Sequence, residues 1–251
     1  MKPLAIDLFT GLHGWSEGLV SEGWEVIGFD IVDMCRECGQ QRPEGVQLVL
    51  QDVLTLHGRQ FKDAALIVAS PPCQEYSYMA MPWSRAKAIA AEYRSGARDV
   101  KKLTALFDAC FRIQREACEA AGHHIPLVVE NVRGAIPWVG RSRANYGSFH
   151  IWGDVPALMP MTKAIKVTTM GAGWYPPDHP KHVPGLGFNT HAARAIKNNG
   201  GVKTVGHINK RDGSKSSARK AASAAIAKIP LTLARHIARV WRPEATNQRS
   251  E

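Results

Sequence analysis

The sequence predicts a doubly wound α/β fold built on a mostly parallel sheet, and three observations carry that expectation. Short apolar runs recur at 4–9 (LAIDLF), 25–29 (EVIGF), 46–50 (VQLVL), 65–69 (ALIVA) and 126–130 (PLVVE). They lack clean alternation, as strands covered on both faces do. The runs are separated by helical stretches, the clearest being 100–121, with apolar Val100, Leu103, Leu106, Phe107, Cys110, Phe111, Ile113 and Ala117. Each run also stops at polar residues: Thr10-Gly11, Asp30, Asp52, Ser70 and Asn131. In such sheets ligands sit beyond the carboxyl ends of the strands, where these residues fall.

The first run leads into DLFTGLHGWSEG (7–18), a strand, a glycine turn and then a helix. Gly11 and Gly14 suit positive φ and close backbone approach at such a turn, which serves to bind a dinucleotide, to bind another adenosine cofactor, or simply to reverse the chain. Asp30 and Asp52 are placed to accept from ribose hydroxyls and from an adenine amino group, or else to cap the next turn. Directly after the fourth run, SPPCQEYS (70–77) presents Cys73 on a proline-stiffened loop, the position of a nucleophile; a lone cysteine also serves as a small buried hydrophobe. The fifth run ends in VVENVRG (128–134), where a buried Glu130 would have a raised pKa suited to protonating a ring nitrogen, or would be a paired structural carboxylate.

Residues 1–154 form the expected cofactor-binding and catalytic domain. The Gly- and Pro-rich segment 155–215 is expected to be a small second region, 216–242 to return as helices on the first domain, and 243–251 to be a flexible tail. Lys and Arg against Asp and Glu number 16 and 18 in residues 1–156 but 16 and 4 in residues 157–251, so the formal charge of +10 arises in the last third. A polyanion is the partner such a surface fits. No apolar run approaches the roughly 18 residues of a membrane span, and the first residues lack the pattern of a secretory signal, so the expectation is a cytoplasmic protein without membrane contact. Five unevenly spaced cysteines fit free thiols in a reducing compartment. Cys35-x-x-Cys38 has no second ligand pair, so no metal is expected. Tyr76, Trp83, Trp174, Tyr175 and Phe188 are candidates for stacking on bases or for filling the core.

In order along almost the whole chain, DLFTGLHGW, GFD, QDV, SPPCQEYS, VVENVRG and IPLTLARHIA resemble the DNA (cytosine-5) methyltransferase family. The resemblance implies a Rossmann-like class I fold that uses S-adenosylmethionine. Cys73 then corresponds to the nucleophile, Glu130 to the residue that engages the base, and Asp7, Phe9, Gly11, Gly14, Asp30, Asp52 and Pro72 to positions around the cofactor. It further implies double-stranded DNA as substrate, base flipping, recognition by 155–215, monomeric action, and a short member of phage or prophage type. The chain departs from the family at three points. His13 stands where a glycine is usual, and the arginines of the substrate-binding element are shifted, leaving Arg141 and Arg143 as its counterparts. The glycine-asparagine before the last helix is absent, leaving Ser223 as the counterpart cofactor contact. The alternatives are a methyltransferase acting on RNA cytosine and an idle DNA-binding relative.

Overall fold

The computed structural model describes residues 2–74, 76, 83–160, 224–225 and 227–243. The chain divides into two compact units, one of residues 1–162 with 228–251 and one of residues 163–227. The first unit is built on one sheet of seven strands: β1 (Leu4–Leu8), β2 (Glu25–Asp30), β3 (Val46–Leu50), β4 (Leu66–Ala69), β5 (Leu127–Val132), β6 (Ala144–Tyr146) and β7 (Phe149–Gly153), in the order β3-β2-β1-β4-β5-β7-β6. The first five strands are parallel, and β7 runs antiparallel to both β5 and β6. The order reverses direction between β1 and β4, and the crevice at such a switch point is where this architecture binds ligands.

The five predicted strands lie where the apolar runs stand, with one difference. β5 continues through Asn131 to Val132 because β7 pairs with it over its last five residues, so Glu130 lies within a strand, opposite Ile151.

The sheet is covered on both faces. On one, α4 (Val100–Ala121) lays Leu103, Phe107, Cys110, Ile113 and Ala117 against Ile67, Val129 and Trp152. Asp99 caps its start by accepting from the Lys101 N–H, and Gly122 ends it in the left-handed conformation. Two short helices, α2 (Met34–Glu37) and α5 (Ile136–Val139), and the longer α3 (Trp83–Arg94) complete this part of the chain order. On the other face, α1 (Gly14–Ser21) and α6 (Leu231–Val240) bury Trp15, Leu19, Leu233 and Ile237 with Trp24 over Val26, Val68 and Val128.

The α1–α6 contact is unusually close. A Cβ on Gly18 would lie 2.3 Å from the Ala234 Cβ, and one on Gly14 would lie 2.5 Å from the Ile229 nitrogen. Gly14 therefore serves helix packing as well as the turn, a role not foreseen for it. Glu22, at the end of α1, accepts from Arg235 at 2.6 Å and Arg239 at 2.9 Å, and these guanidinium hydrogen bonds hold its carboxyl down to about 2. The Trp24 indole donates to the Ala238 carbonyl at 3.1 Å.

Gly18→Ala should destabilise the protein by about 1–3 kcal/mol, the usual cost of overpacking. Adding Ala234→Gly should recover only part of it in a chemical denaturation series, since the new Cβ would also lie 2.8 Å from the Ala234 carbonyl carbon and 2.9 Å from the Arg235 nitrogen. Two independent, additive losses would contradict such a contact.

Candidate active site

The carboxyl edge of β1, β4 and β5 gathers the predicted residues from three separate stretches of chain. Asp7 is fully buried in β1 and accepts from the Ser16 hydroxyl at 2.5 Å and the Ser16 N–H at 3.2 Å. Burial pushes its carboxyl up to about 7 against those two hydrogen bonds, with a smaller upward contribution from Asp30. After β1, Phe9 and Gly11 both have positive φ, 63° and 50°, and the Gly11 N–H donates to Asp30 Oδ2 at 2.9 Å. The other Asp30 oxygen accepts from the Ile31 N–H at 2.8 Å, so Asp30 holds the turn in shape besides facing its mouth.

His13 takes the left-handed N-cap of α1, φ 57°, and is completely buried. Its Nδ1 lies 3.4 Å from the Ser16 oxygen. The Ser16 proton goes to Asp7, which assigns the imidazole proton to Nδ1 and leaves Nε2 an acceptor. Burial lowers the His13 pKa, keeping the ring neutral.

Asp7 Oδ1, Thr10 Oγ1 and His13 Nε2 are buried without hydrogen-bond partners among the described residues. Three orphaned polar atoms in one turn fit a polar ligand that would satisfy them. Ile31, directly after Asp30, is 69% exposed, and Leu54, two residues after Asp52, is 48% exposed. They supply apolar surface beside two carboxylates, as an adenosine group requires. Neither was foreseen from sequence; a bulky aliphatic just past an acidic strand end is the signal that would have found them. Asp52 is exposed and caps a 3-10 turn, its Oδ1 accepting from the Leu54 N–H at 2.9 Å.

The second half of the site lies across the switch point. Cys73 is half-buried on the loop after β4, and Pro72 beside it is exposed. Asn131, 1% exposed on β5, donates from Nδ2 to the Pro71 carbonyl at 2.9 Å and accepts from the Val132 N–H, which ties the cysteine loop to the strand carrying Glu130. Glu130 is 8% exposed; burial pushes its carboxyl up to about 8, opposed by a hydrogen bond from Ser70. Burial also raises the Cys73 thiol, and the Glu130 charge raises it further. Protonating Glu130 removes that repulsion, so the neutral acid and the nucleophile favour one another.

A model of the C-5 cytosine-specific DNA methylase family matches residues 4–134, which hold every one of these groups. The chain belongs to that family. Its members take their methyl group from S-adenosylmethionine, the adenosine-bearing ligand that the orphaned atoms and the carboxylates fit. No curated protein matches the chain. Among solved structures, a protein described as a putative DNA modification methyltransferase encoded within an E. coli prophage is similar at 20% identity and a TM-score of 0.35, over 54% of this chain and 33% of that one. The Dnmt2 methyltransferase of S. pombe is similar at 16% identity and a TM-score of 0.36, over 56% of this chain and 37% of its own. The methyltransferase EhMeth of Entamoeba histolytica is similar at 16% identity and a TM-score of 0.33, over 56% and 41%. The chain thus spans well under half the length of these three proteins.

Not every expected residue converges in this family member. Arg141 and Arg143 are exposed before β6, two strands away from Glu130, and neither forms a hydrogen bond or ion pair with Glu130 or Cys73 among the described residues. Tyr76 is 4% exposed and its hydroxyl donates to the Leu103 carbonyl at 2.7 Å, so it is a core residue rather than a stacking platform. Ser223, the Trp83 side chain, Trp174, Tyr175, Phe188 and nearly all of 155–215 lie outside the described residues.

The raised carboxyls fix a sign for stability against pH. A carboxyl at 4.5 when unfolded and about 8 when folded holds its proton longer in the native state, so its burial costs nothing below pH 4.5 and costs most above pH 8. Glu130→Gln should therefore melt higher than the parent at pH 9, on the order of 5 °C or more, with the gap closing toward pH 5. Equal melting temperatures across that range would show that Glu130 titrates normally.

Proposed function

We propose that this chain is a DNA cytosine-5 methyltransferase. The observation that carries the proposal is a buried Glu130 carboxyl, raised to about 8, in the strand tied by Asn131 to the Cys73 loop. Cytosine C5 is a weak nucleophile, and adding a thiolate at C6 makes it a strong one. In the proposed reaction Cys73 forms the bond to C6 while Glu130 gives its proton to N3, so negative charge does not accumulate on the ring. Loss of the C5 proton to solvent after transfer, with the N3 proton returning to Glu130, lets the Cys73–C6 bond break and regenerates the thiolate. The cofactor supplies an electrophilic methyl group. The turn around Asp7, Thr10, Gly11 and His13 would hold its polar portion, with Asp30, Asp52, Ile31 and Leu54 around the nucleoside.

C5 and C6 are covered in a stacked duplex, so the cytosine must leave the helix to meet Cys73. The basic last third of the chain is suited to holding the distorted DNA through its phosphates, and 155–215 is the segment we assign to target recognition. Arg141 and Arg143, exposed before β6, are the arginines we assign to the substrate.

Purified protein given methyl-labelled cofactor and mixed-sequence double-stranded DNA should produce 5-methylcytosine, identified by mass spectrometry after digestion. Cys73→Ser should lose at least about a thousandfold, and Glu130→Gln about a hundredfold or more, mainly in kcat. Label appearing in tRNA rather than DNA would move the substrate to RNA. Binding of both cofactor and DNA without product would overturn the enzymatic proposal.

A further inference from the structure

A tryptophan of α1 holds the serine that lies beside Glu130. Trp15, 2% exposed, packs over Val68 and Val128, and its Nε1–H donates to Ser70 Oγ at 2.9 Å. Ser70 follows Ala69, which pairs with Val129, so the register continues to place Ser70 beside Glu130. Its N–H donates to the Leu8 carbonyl at 3.1 Å, which holds it in line with the sheet. With that placement, Ser70 is the one side chain that holds the Glu130 titration down against burial, as a hydroxyl turned toward a carboxylate does. An indole N–H only donates, so it occupies one lone pair of Ser70 and leaves the hydroxyl proton free to turn toward Glu130.

We propose that Trp15 and Ser70 are positioning residues for Glu130, directing the Ser70 proton to one carboxyl oxygen so that the carboxyl's own proton sits on the other, toward the base. The assignment rests on the proposed role of Glu130 as proton donor to cytosine. Without Trp15 the hydroxyl would rotate freely; without Ser70 the carboxyl would lose the hydrogen bond that holds its titration down. The other titratable groups bordering Glu130 among the described residues are Cys73 on the loop after β4 and Asp7 on the same sheet face one row earlier, while its β7 partner, Ile151, is apolar.

The test is a carbon-13 NMR titration of glutamate-labelled, full-length protein, with Glu130→Gln assigning the signal, alongside steady-state kinetics of methyl transfer. Ser70→Ala should move the Glu130 midpoint upward by about half a pH unit or more, because it removes a donor to the charged form. Trp15→Phe should move it the same way by less, and the double variant should match Ser70→Ala alone, since both act through one hydroxyl. Ser70→Thr, which keeps the hydroxyl, should restore the parent midpoint. In kinetics, Ser70→Ala should lower kcat about tenfold and leave KM for cofactor and DNA within about twofold. An unmoved midpoint in Ser70→Ala overturns the hydrogen-bond chain whatever the activity, and additive shifts in the double variant overturn the place of Trp15 in it. If the midpoints shift as expected but the parent protein methylates neither DNA nor RNA, the proposed function has failed and the positioning role fails with it.

Discussion

Burial of a carboxyl group beside a thiol is the constraint on which the rest of this site depends. An ionised Glu130 within the sheet, with no cation against it among the described residues, would be too costly to keep, and the structure instead favours its neutral form. That neutrality is what makes the group an acid at physiological pH, and it relieves the repulsion that would otherwise oppose ionisation of Cys73. The surrounding elements keep water away from this pair: β7 flanks β5 on one side, β4 on the other, and α1 covers the face on which Glu130 lies.

The covering helix is itself held from a distance. α1 is seated by α6, more than 200 residues later, through glycines that permit backbone contact and through Glu22 shared between two arginines. The last helix thus helps to fix the turn after β1 and, through Trp15, the environment of Glu130. A loosening of the α1–α6 contact would be felt at both halves of the site. This couples stability to chemistry in a way that the short motifs do not reveal when taken one at a time.

Much of this was legible in the sequence. Five strands announced themselves because strands buried on both faces must be apolar, and each ended near a polar residue because the site lies at the carboxyl edge. Cys73, Glu130, Asp30 and Gly11 were singled out by the same logic, and the fold brings their strand ends to one edge of the sheet, while their roles are those proposed above. Other features depend on pairing and register, which composition does not encode. The antiparallel hairpin of β6 and β7 is short, only three and five residues, and its pairing with β5 carries that strand past the apolar run. The packing role of Gly14 was hidden because Ile229, which it meets, is remote in sequence. Ser70 was visible within its motif, yet its role emerges only when β4 and β5 lie side by side and Trp15 reaches across. Tyr76 had the composition of a stacking residue, and only the partner of its hydroxyl shows it to be core.

The most direct test of the central claim, that Cys73 and Glu130 converge on one cytosine, is to trap the reaction on DNA carrying 5-fluorocytosine, whose fluorine blocks the final elimination. The complex would then be digested and the peptide bearing the nucleotide sequenced by mass spectrometry. The expected result is a cofactor-dependent adduct on Cys73 alone, formed much more slowly in Glu130→Gln. An adduct on Cys35, Cys38, Cys110 or Cys118, or one formed at the parent rate without Glu130, would contradict it.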